Sequence, residues 1–185
     1  ETQAEIRKSF DTCGVKYKPY YLVNALEVQG GTLVRLYLMT RPEVERVIPS
    51  PRLRPAPKGA PIAGDSPAPT GVEWNITMIG ADKVWSEFKV RGKGVVVGQS
   101  DSGADENHPA IHDQYRGLVS GDDYNWFDPW GYSTSPTDEE GHGTHTLGTI
   151  LGRGGIGIAP EATWIGCANL RRNLADPALY LDCMQ

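Results

Sequence analysis

A proline-rich segment in the first half of the sequence limits what the chain can fold into. Residues 49–71 are rich in Pro, Ala, Gly and Arg, and a stretch with so few large apolar side chains cannot build a packed core. A segment of this composition is extended and open to proteases. It predicts a linker between a small domain at residues 1–48 and a larger domain at residues 72–185.

The first 48 residues carry alternating helix and strand signals, which predict a small α+β domain. TQAEIRKSF indicates a helix in which Thr2 and Glu5 form a capping box. YYLVNALEV (20–28) is rich in strand-forming residues. TLVRLYLMT predicts a short helix that Pro42 ends, and VERVI (44–48) alternates as an edge strand does.

The larger part of the chain alternates strands and helices. ADKVWSEF predicts a short helix, and Val95 to Val97 in GKGVVVGQSDSG form a near-continuous apolar run. A strand buried on both faces has this pattern, and such strands occur in parallel sheets that helices cover. Residues 112–140 are predicted to form a long polar and aromatic loop.

A helix and a strand are predicted after that loop. The helix runs from about Gly141 to Leu151, and ATWIGCANL predicts another buried strand. Asp176 and Pro177 indicate a further helix start, an N-cap followed by proline at the first helical position. The order of elements is that of a doubly wound α/β fold with a parallel sheet. A chain that ends within a helix predicts a truncated domain.

Composition argues against some functions. The chain has 18 Lys and Arg against 23 Asp and Glu, a net charge of −5, whereas nucleic-acid-binding proteins usually have a basic face. No apolar run is long enough to span a bilayer. The three cysteines lack metal-ligand spacing. Free thiols are the favoured interpretation, and a bridge between Cys167 and Cys183 that leaves Cys13 unpaired is the alternative.

Two residues are candidates for acid–base chemistry. Asp101 comes just after a predicted buried strand, at the sheet edge where sites form in open parallel sheets. His142 lies at a predicted helix start between two glycines. A carboxylate that accepts from Nδ1 fixes the imidazole tautomer and leaves Nε2 as a general base. The alternative is a structural role for each, with Asp101 capping the next turn.

The motifs around these residues resemble those of the subtilisin family. SDSGADENHPAI (100–111) is similar to its aspartate motif, in which Asp-Ser/Thr-Gly is followed by His-Pro. GHGTHTLGT (141–149) is similar to its histidine motif, and GIGIAP (155–160) resembles the Gly-x-Ala-Pro that follows. The order, Asp before His, is also that of the family.

The resemblance extends to other segments. VNALEVQGG, the short helix and RPEVERVIPSP are similar to the strand pair, second helix and last strand of the family's propeptide. GVEWNITMIGADKVW (71–85) resembles the start of the mature region. DYNWFDPW and the Cys-Ala-Asn-Leu segment are most similar to the bacillopeptidase F branch.

The resemblance implies the precursor of a secreted serine endopeptidase. Asp101 and His142 would be two members of its triad, and His145 a packing residue. Residues 1–48 would be an inhibitory propeptide, the linker at 49–71 would contain the processing site, and 72–185 would be the first part of a subtilisin-like sheet domain. The implied partners are protein or peptide substrates and the chain's own propeptide in the cleft, with neither nucleic acid nor a membrane span.

The sequence also departs from the family's pattern. No serine lies in the Gly-Thr-Ser-x-Ala-x-Pro motif that carries the nucleophile, so the nucleophile is expected beyond Gln185, and neither Ser102 nor Ser133 takes its place. Ala110 stands where family members that bind calcium often have an acid. The usual calcium site is therefore predicted to be lost, and no cofactor is expected unless calcium binds elsewhere in the full-length protein.

Several alternatives stay open at this point. The chain could be a catalytically dead fragment or a propeptide-type protease inhibitor. The two imidazoles of HGTH could bind zinc, although helix-borne pairs usually lie four residues apart. The acids Asp138 to Glu140 could shape a subsite for cations, or could simply be solvated at a helix N-terminus. Trp126 and Trp130 could form a substrate platform, or could pin the loop to the body of the protein.

Overall fold

The computed structural model of the chain describes residues 2–50, 67–171 and 176–185. They form two compact units, one of residues 2–50 together with 176–185, and one of residues 67–171. The last ten residues thus group with the N-terminal part, whereas the sequence places them in the larger domain. Most of the predicted linker, residues 51–66, lies outside the described residues, and the predicted domain limits stay a prediction.

The first unit is an antiparallel hairpin with three helices. Tyr20 pairs with Ala25 at the turn and Lys16 with Gln29 at the open end. The core consists of Ile6, Phe10 and Leu38, all buried. The elements are α1 (Ala4–Cys13), β1 (Lys16–Tyr20), β2 (Ala25–Gln29), α2 (Thr32–Met39) and α7 (Pro177–Met184).

Three local predictions for this unit were wrong. The N-cap of α1 is Gln3 without a side-chain cap, because the Thr2 hydroxyl instead donates to Asn24 Oδ1 at 3.0 Å. The predicted strand at 20–28 is interrupted by the hairpin turn. The predicted edge strand at 44–48 is absent. Val44 and Val47 pack against the core, and a spacing of three does not suit the two-residue repeat of a strand.

Helix α7 begins as the sequence predicts. Asp176 Oδ1 accepts a hydrogen bond from Ala178 N at 2.9 Å, and Pro177 occupies the first helical position. The helix is held to the hairpin by an ion pair of 2.5 Å between Lys18 Nζ and Asp182 Oδ1, and the Asp182 side chain is only 5% exposed. Removing Lys18 would leave a buried carboxylate without its counter-charge, which is strongly destabilising.

The second unit contains a parallel sheet in the order β3-β5-β4. Strand β5 pairs with β3 from Val96↔Thr163 to Asp101↔Ala168. A 3₁₀ helix spans His112–Gln114. This architecture confirms the predicted α/β class with a parallel sheet. The elements are α3 (Trp74–Met78), α4 (Ala81–Phe88), β3 (Val96–Asp101), α5 (Gly117–Ser120), β4 (Trp126–Phe127), α6 (His142–Leu151) and β5 (Thr163–Ala168).

The core of this unit lies between α6 and one face of the sheet. Leu147 and Leu151 of the helix are fully buried. Trp164 of β5 is also fully buried, its indole N–H donates to Ile111 O at 2.9 Å, and its ring lies 4.4 Å from that of Tyr115. The buried cluster comprises Ala104, Ile111, Tyr115, Trp126, Leu147, Leu151, Ala162, Trp164 and Ala168.

Two predictions for the second unit need correction. Strand β3 is not buried on both faces, because Val96 is 43% exposed. It also forms one edge of the described sheet. The region 112–140 is not a simple loop, since it contains the 3₁₀ helix, α5 and the short strand β4. Within the described residues, no helix has the length and apolar character needed to cross a bilayer.

The cysteines also differ from the favoured interpretation. Cys167 and Cys183 are both disulfide-bonded, and Cys13 is a free, exposed thiol. Free thiols were the favoured prediction because spacing alone contains no information on which side chains meet in the fold.

A buried glutamine ties the end of α6 to the segment that leads into β5. Gln114 is 2% exposed. Its Nε2 lies 2.7 Å from Leu151 O, 3.1 Å from Pro160 O and 3.0 Å from Ala162 O. Leu151 ends α6, whereas Pro160 and Ala162 both lie just before β5, so one side chain joins two backbone segments to its own.

We expect Gln114→Leu to destabilise the second unit by about 2–4 kcal/mol, because buried carbonyls would lose their donor. All five tryptophans lie in this unit. Urea unfolding followed by tryptophan fluorescence therefore reports on it alone. Asp113→Asn is the matched control, because Asp113 adjoins Gln114 and its side chain is 62% exposed. Equal stability of the two variants would contradict the bridging role.

Candidate active site

Asp101 and His142, 41 residues apart in the sequence, form a close pair. Strand β3 ends at Asp101 and helix α6 begins at His142. His142 Nδ1 lies 2.6 Å from Asp101 Oδ1. The Asp101 side chain is 15% exposed and that of His142 is 45% exposed. The carboxylate is thus mostly enclosed, while the imidazole is open to an incoming molecule.

The pair has the chemistry of an oriented base. A carboxylate can only accept a hydrogen bond, so Nδ1 carries the proton and Nε2 of the neutral ring has a free lone pair. Nε2 can then take a proton from a nucleophile, and the carboxylate stabilises the imidazolium that forms. General-base catalysis of this kind contributes roughly 10²–10⁴-fold in rate.

Further hydrogen bonds hold the Asp101 carboxylate in place. Ser102 N donates to Oδ1 at 2.6 Å, and the Thr146 hydroxyl lies 3.3 Å from Oδ2. Buried Gln99 supports the same helical turn, since its Nε2 donates to Gly143 O at 2.5 Å and to Thr146 Oγ1 at 2.8 Å. Side chains of β3 therefore form hydrogen bonds directly to the first turn of α6.

Asp138, four residues before His142, accepts five hydrogen bonds. Oδ1 accepts from Ser102 Oγ at 2.9 Å, Glu140 N at 3.0 Å and Gly141 N at 2.9 Å. Oδ2 accepts from Thr144 N at 2.8 Å and from the Thr144 hydroxyl at 2.7 Å. One carboxylate thus joins the turn after β3 to the start of α6.

These hydrogen bonds shift the pKa of Asp138. Burial alone would raise the pKa of its carboxyl group, but the hydrogen bonds from Thr144, Ser102 and Glu140 outweigh burial and lower the pKa below its ordinary value. The charged form is therefore the one that the fold stabilises.

Two glycines allow the strand end and the helix start to approach. Gly103 has φ +131°, and a Cβ there would lie 2.0 Å from Thr137 O. A Cβ on Gly143 would lie 2.0 Å from Gly103 O. Both obstacles are backbone atoms, which cannot swing away as a flexible side chain could. Any larger residue would push α6 away from Asp101.

We expect Gly143→Ala to lower the stability of the second unit by about 3 kcal/mol or more, because the new methyl group overlaps backbone. Gly148→Ala in the same helix is the matched control. A Cβ at Gly148 meets nothing within 4 Å, so alanine should raise stability by about 0.5–1 kcal/mol. Urea unfolding followed by tryptophan fluorescence measures both, and equal effects would contradict the close approach.

The lowered pKa of Asp138 predicts a pH-dependent contribution to stability. A carboxyl group with a lowered folded pKa stabilises the fold above its ordinary pKa, near 4, and this contribution is lost as the pH falls through the folded value. Near pH 7, the free energy of unfolding of Asp138→Asn should therefore be about 2 kcal/mol lower than that of the wild type. The variant should accordingly unfold at a lower urea concentration. The gap should close toward about pH 2. A difference in the free energy of unfolding that stays constant with pH would contradict the conclusion that the fold stabilises the charged form of Asp138.

The other histidine of the motif lies elsewhere. His145 is exposed, in contrast to the packing role that the resemblance implies. It lines a groove of about 670 Å³ together with Trp74, Asn75 and His108, on a face of α6 that includes Thr144 and Gly148. His142 pairs with Asp101 instead. The two imidazoles of HGTH therefore lie in different surroundings, which argues against a zinc ion bound by both.

Contacts of individual residues bear on the other sequence alternatives. Glu139 forms a two-oxygen contact with Arg171 Nη2, both at 2.9 Å, and Asp138 is occupied by its five donors. Asp138 and Glu139 are therefore both occupied by partners within this unit, which argues against an open subsite for cations at these two acids. Trp126 is 8% exposed within the core cluster, so it pins the loop to the body of the unit. Ala110 packs against the same cluster.

Sequence reasoning missed the residues that hold the pair together. Gln99, Ser102 and Asp138 were not assigned any part in positioning. The only available signal was local, since an acid before a helix start and a hydroxyl after the strand aspartate both suit capping. That they bond to each other could not be inferred, because 36 residues separate them.

Comparison with known proteins gives the family of the chain. Residues 92–179 match the sequence model of the subtilase family. The chain belongs to the subtilase family. It is 35% identical to Bacillopeptidase F of Bacillus subtilis over 162 residues, which are 79% of this chain and 11% of that protein. This likeness extends beyond the family match and supports the bacillopeptidase F-like branch.

Other subtilases are similar over shorter stretches. The Major intracellular serine protease of Bacillus subtilis is 38% identical over 48% of this chain and 27% of its own length. The Minor extracellular protease Vpr of the same organism is 34% identical over 57% of this chain and 13% of its own length. The chain therefore spans only a small part of these relatives.

Proposed function

We propose that this subtilase chain carries the propeptide and the first part of the catalytic domain of a serine endopeptidase. The observation that carries the proposal is the 2.6 Å contact between His142 Nδ1 and Asp101 Oδ1, in the half-exposed setting that a base acting on a bound substrate needs. The subtilase relatives named above, two of them serine or extracellular proteases by name, support the same reaction class.

The proposed reaction is acyl transfer. His142 Nε2 removes the proton from a serine hydroxyl that lies outside these 185 residues, and the serine oxygen attacks the scissile carbonyl. The imidazolium, stabilised by Asp101, then gives the proton to the leaving amine, and water releases the acyl group in a second cycle. The partners are proteins or peptides, and the described part of the chain supplies the base and its orienting carboxylate.

The propeptide part of the proposal rests on the first unit. Residues 2–50 have their own core and pack with helix α7 through Lys18 and Asp182. Ser50 Oγ also lies 3.1 Å from Asp176 Oδ1. We propose that this unit is the propeptide and that processing takes place within residues 49–71.

Secretion is part of the same proposal. Disulfide-bonded Cys167 and Cys183 suit an oxidising compartment, where such bonds persist. One relative is extracellular and another intracellular by name, so the disulfide is the feature that favours export. Calcium, for which Ala110 removes the usual acid, is proposed to be absent from that position.

The decisive experiment uses the complete precursor that contains this chain. We expect His142→Ala to abolish self-processing and to lower kcat for a peptide amide by at least about 10³-fold, since the base is lost. Processing is read from the N-terminus of the product, and hydrolysis from release of a chromogenic amine.

His145→Ala is the matched control, because His145 lies in the same motif but does not contact Asp101. It should still process itself and hydrolyse the substrate. Normal maturation of His142→Ala would overturn the assignment of the base. A wild-type precursor that neither processes itself nor hydrolyses peptides would overturn the protease proposal.

A further inference from the structure

We propose that Asp138 and Ser102 are positioning residues that set the distance between Asp101 and His142. We call the two side chains, with the backbone N–H of Gly143, the Asp138 clamp. The inference rests on the proposed function, because positioning matters only if the pair transfers protons. It goes beyond the triad, since neither clamp side chain contacts the His142 ring.

The clamp joins the immediate neighbours of the pair. Ser102 follows Asp101 in the chain and Gly143 follows His142. Gly143 N donates to Ser102 Oγ at 2.9 Å, so one hydrogen bond connects the two neighbours. This bond joins the carboxylate to the imidazole by a short covalent path on each side, so it restricts the distance between them in addition to the contacts of Gln99 and Thr146.

Asp138 determines how the Ser102 hydroxyl is oriented. The hydroxyl has one proton, which it donates to Asp138 Oδ1 at 2.9 Å. With its proton directed there, the oxygen presents a lone pair to Gly143 N. Without an acceptor at Asp138, the hydroxyl could rotate and turn its proton toward the same N–H. The carboxylate thus selects the one rotamer that binds the helix start.

The charge of Asp138 is needed as well as its shape. Every partner of Oδ1 and Oδ2 is a donor, namely Ser102, Glu140 and Gly141 on one oxygen and Thr144 twice on the other. An asparagine amide would place an NH₂ group against donors in either orientation. Asp138→Asn therefore removes the clamp with almost no change in volume.

Small displacements at such a pair have large kinetic effects. A misplacement of about 1 Å at a reacting group costs on the order of 10²-fold in rate. The clamp acts on the proton-transfer step and not on substrate contacts, so its loss should lower kcat and leave KM nearly unchanged.

The test measures kcat, KM and the pH profile of the complete protease for Asp138→Asn, Ser102→Ala and Ser102→Thr. Rates are divided by the concentration of sites that react with a serine-directed titrant, so that misfolded protein does not count. We expect kcat to fall about 30–100-fold for Asp138→Asn and about tenfold for Ser102→Ala. Ser102→Thr keeps the hydroxyl and should stay close to the wild type.

Two further results separate positioning from general destabilisation. The acidic limb of kcat/KM against pH should move to lower pH in Asp138→Asn, because a displaced Asp101 stabilises the imidazolium less. Glu139→Gln is the matched control: it removes one negative charge from the adjacent position, and it should not move that limb. The double variant of Asp138→Asn and Ser102→Ala should be no slower than Asp138→Asn alone, since both act through one clamp.

A second measurement requires no catalysis. In the 185-residue chain, exchange of the His142 Nδ1 proton with water, followed by nitrogen-15 NMR, should be about tenfold faster in Asp138→Asn than in the wild type. Unchanged exchange, or an active Asp138→Asn enzyme with wild-type kcat and pH profile, would overturn the clamp. An inactive wild type would overturn the proposed protease function instead, and the exchange experiment would still decide the clamp.

Discussion

The close approach of the first turn of α6 to the end of β3 is the constraint on which the candidate site depends. Gly143 lies so near Gly103 O that even a methyl group has no room. This contact brings a strand-end carboxylate and a helix-start imidazole within hydrogen-bond distance. Asp138 then joins the two segments by accepting five donors, and the core residues Leu147 and Trp164 hold the helix on the sheet behind them.

The same constraint explains why the sequence is polar and glycine-rich at this point. A segment that approaches another backbone must satisfy its N–H groups without large side chains. Here Ser102 and Asp138 accept hydrogen bonds from backbone N–H groups at the helix start. The Thr144 hydroxyl donates a further hydrogen bond to Asp138. The arrangement stabilises the fold and orients His142 at once, because the bonds that start the helix are the bonds that position its first residue.

Much of this could be predicted from the sequence, and the rest could not for physical reasons. The ends of β3 and α6, and with them Asp101 and His142, follow from apolar runs and glycine boundaries that are local in the chain. The hairpin turn at residues 21–24 was missed because Tyr21 favours strands yet is 73% exposed here. The clamp was missed because its hydrogen bonds join residues far apart in the chain, where neither periodicity nor composition contains information.

The tautomer of His142 in the 185-residue chain tests the account most directly. Nitrogen-15 NMR of the labelled histidines distinguishes a protonated from an unprotonated ring nitrogen, and exposed His145 provides the internal reference. In spectra recorded where the imidazole rings are neutral, the account predicts that the proton of His142 is held on Nδ1 and that Nε2 carries none, while His145 exchanges between tautomers as a solvated imidazole does. A His142 that is protonated on Nε2, or that averages like His145, would contradict the pairing with Asp101.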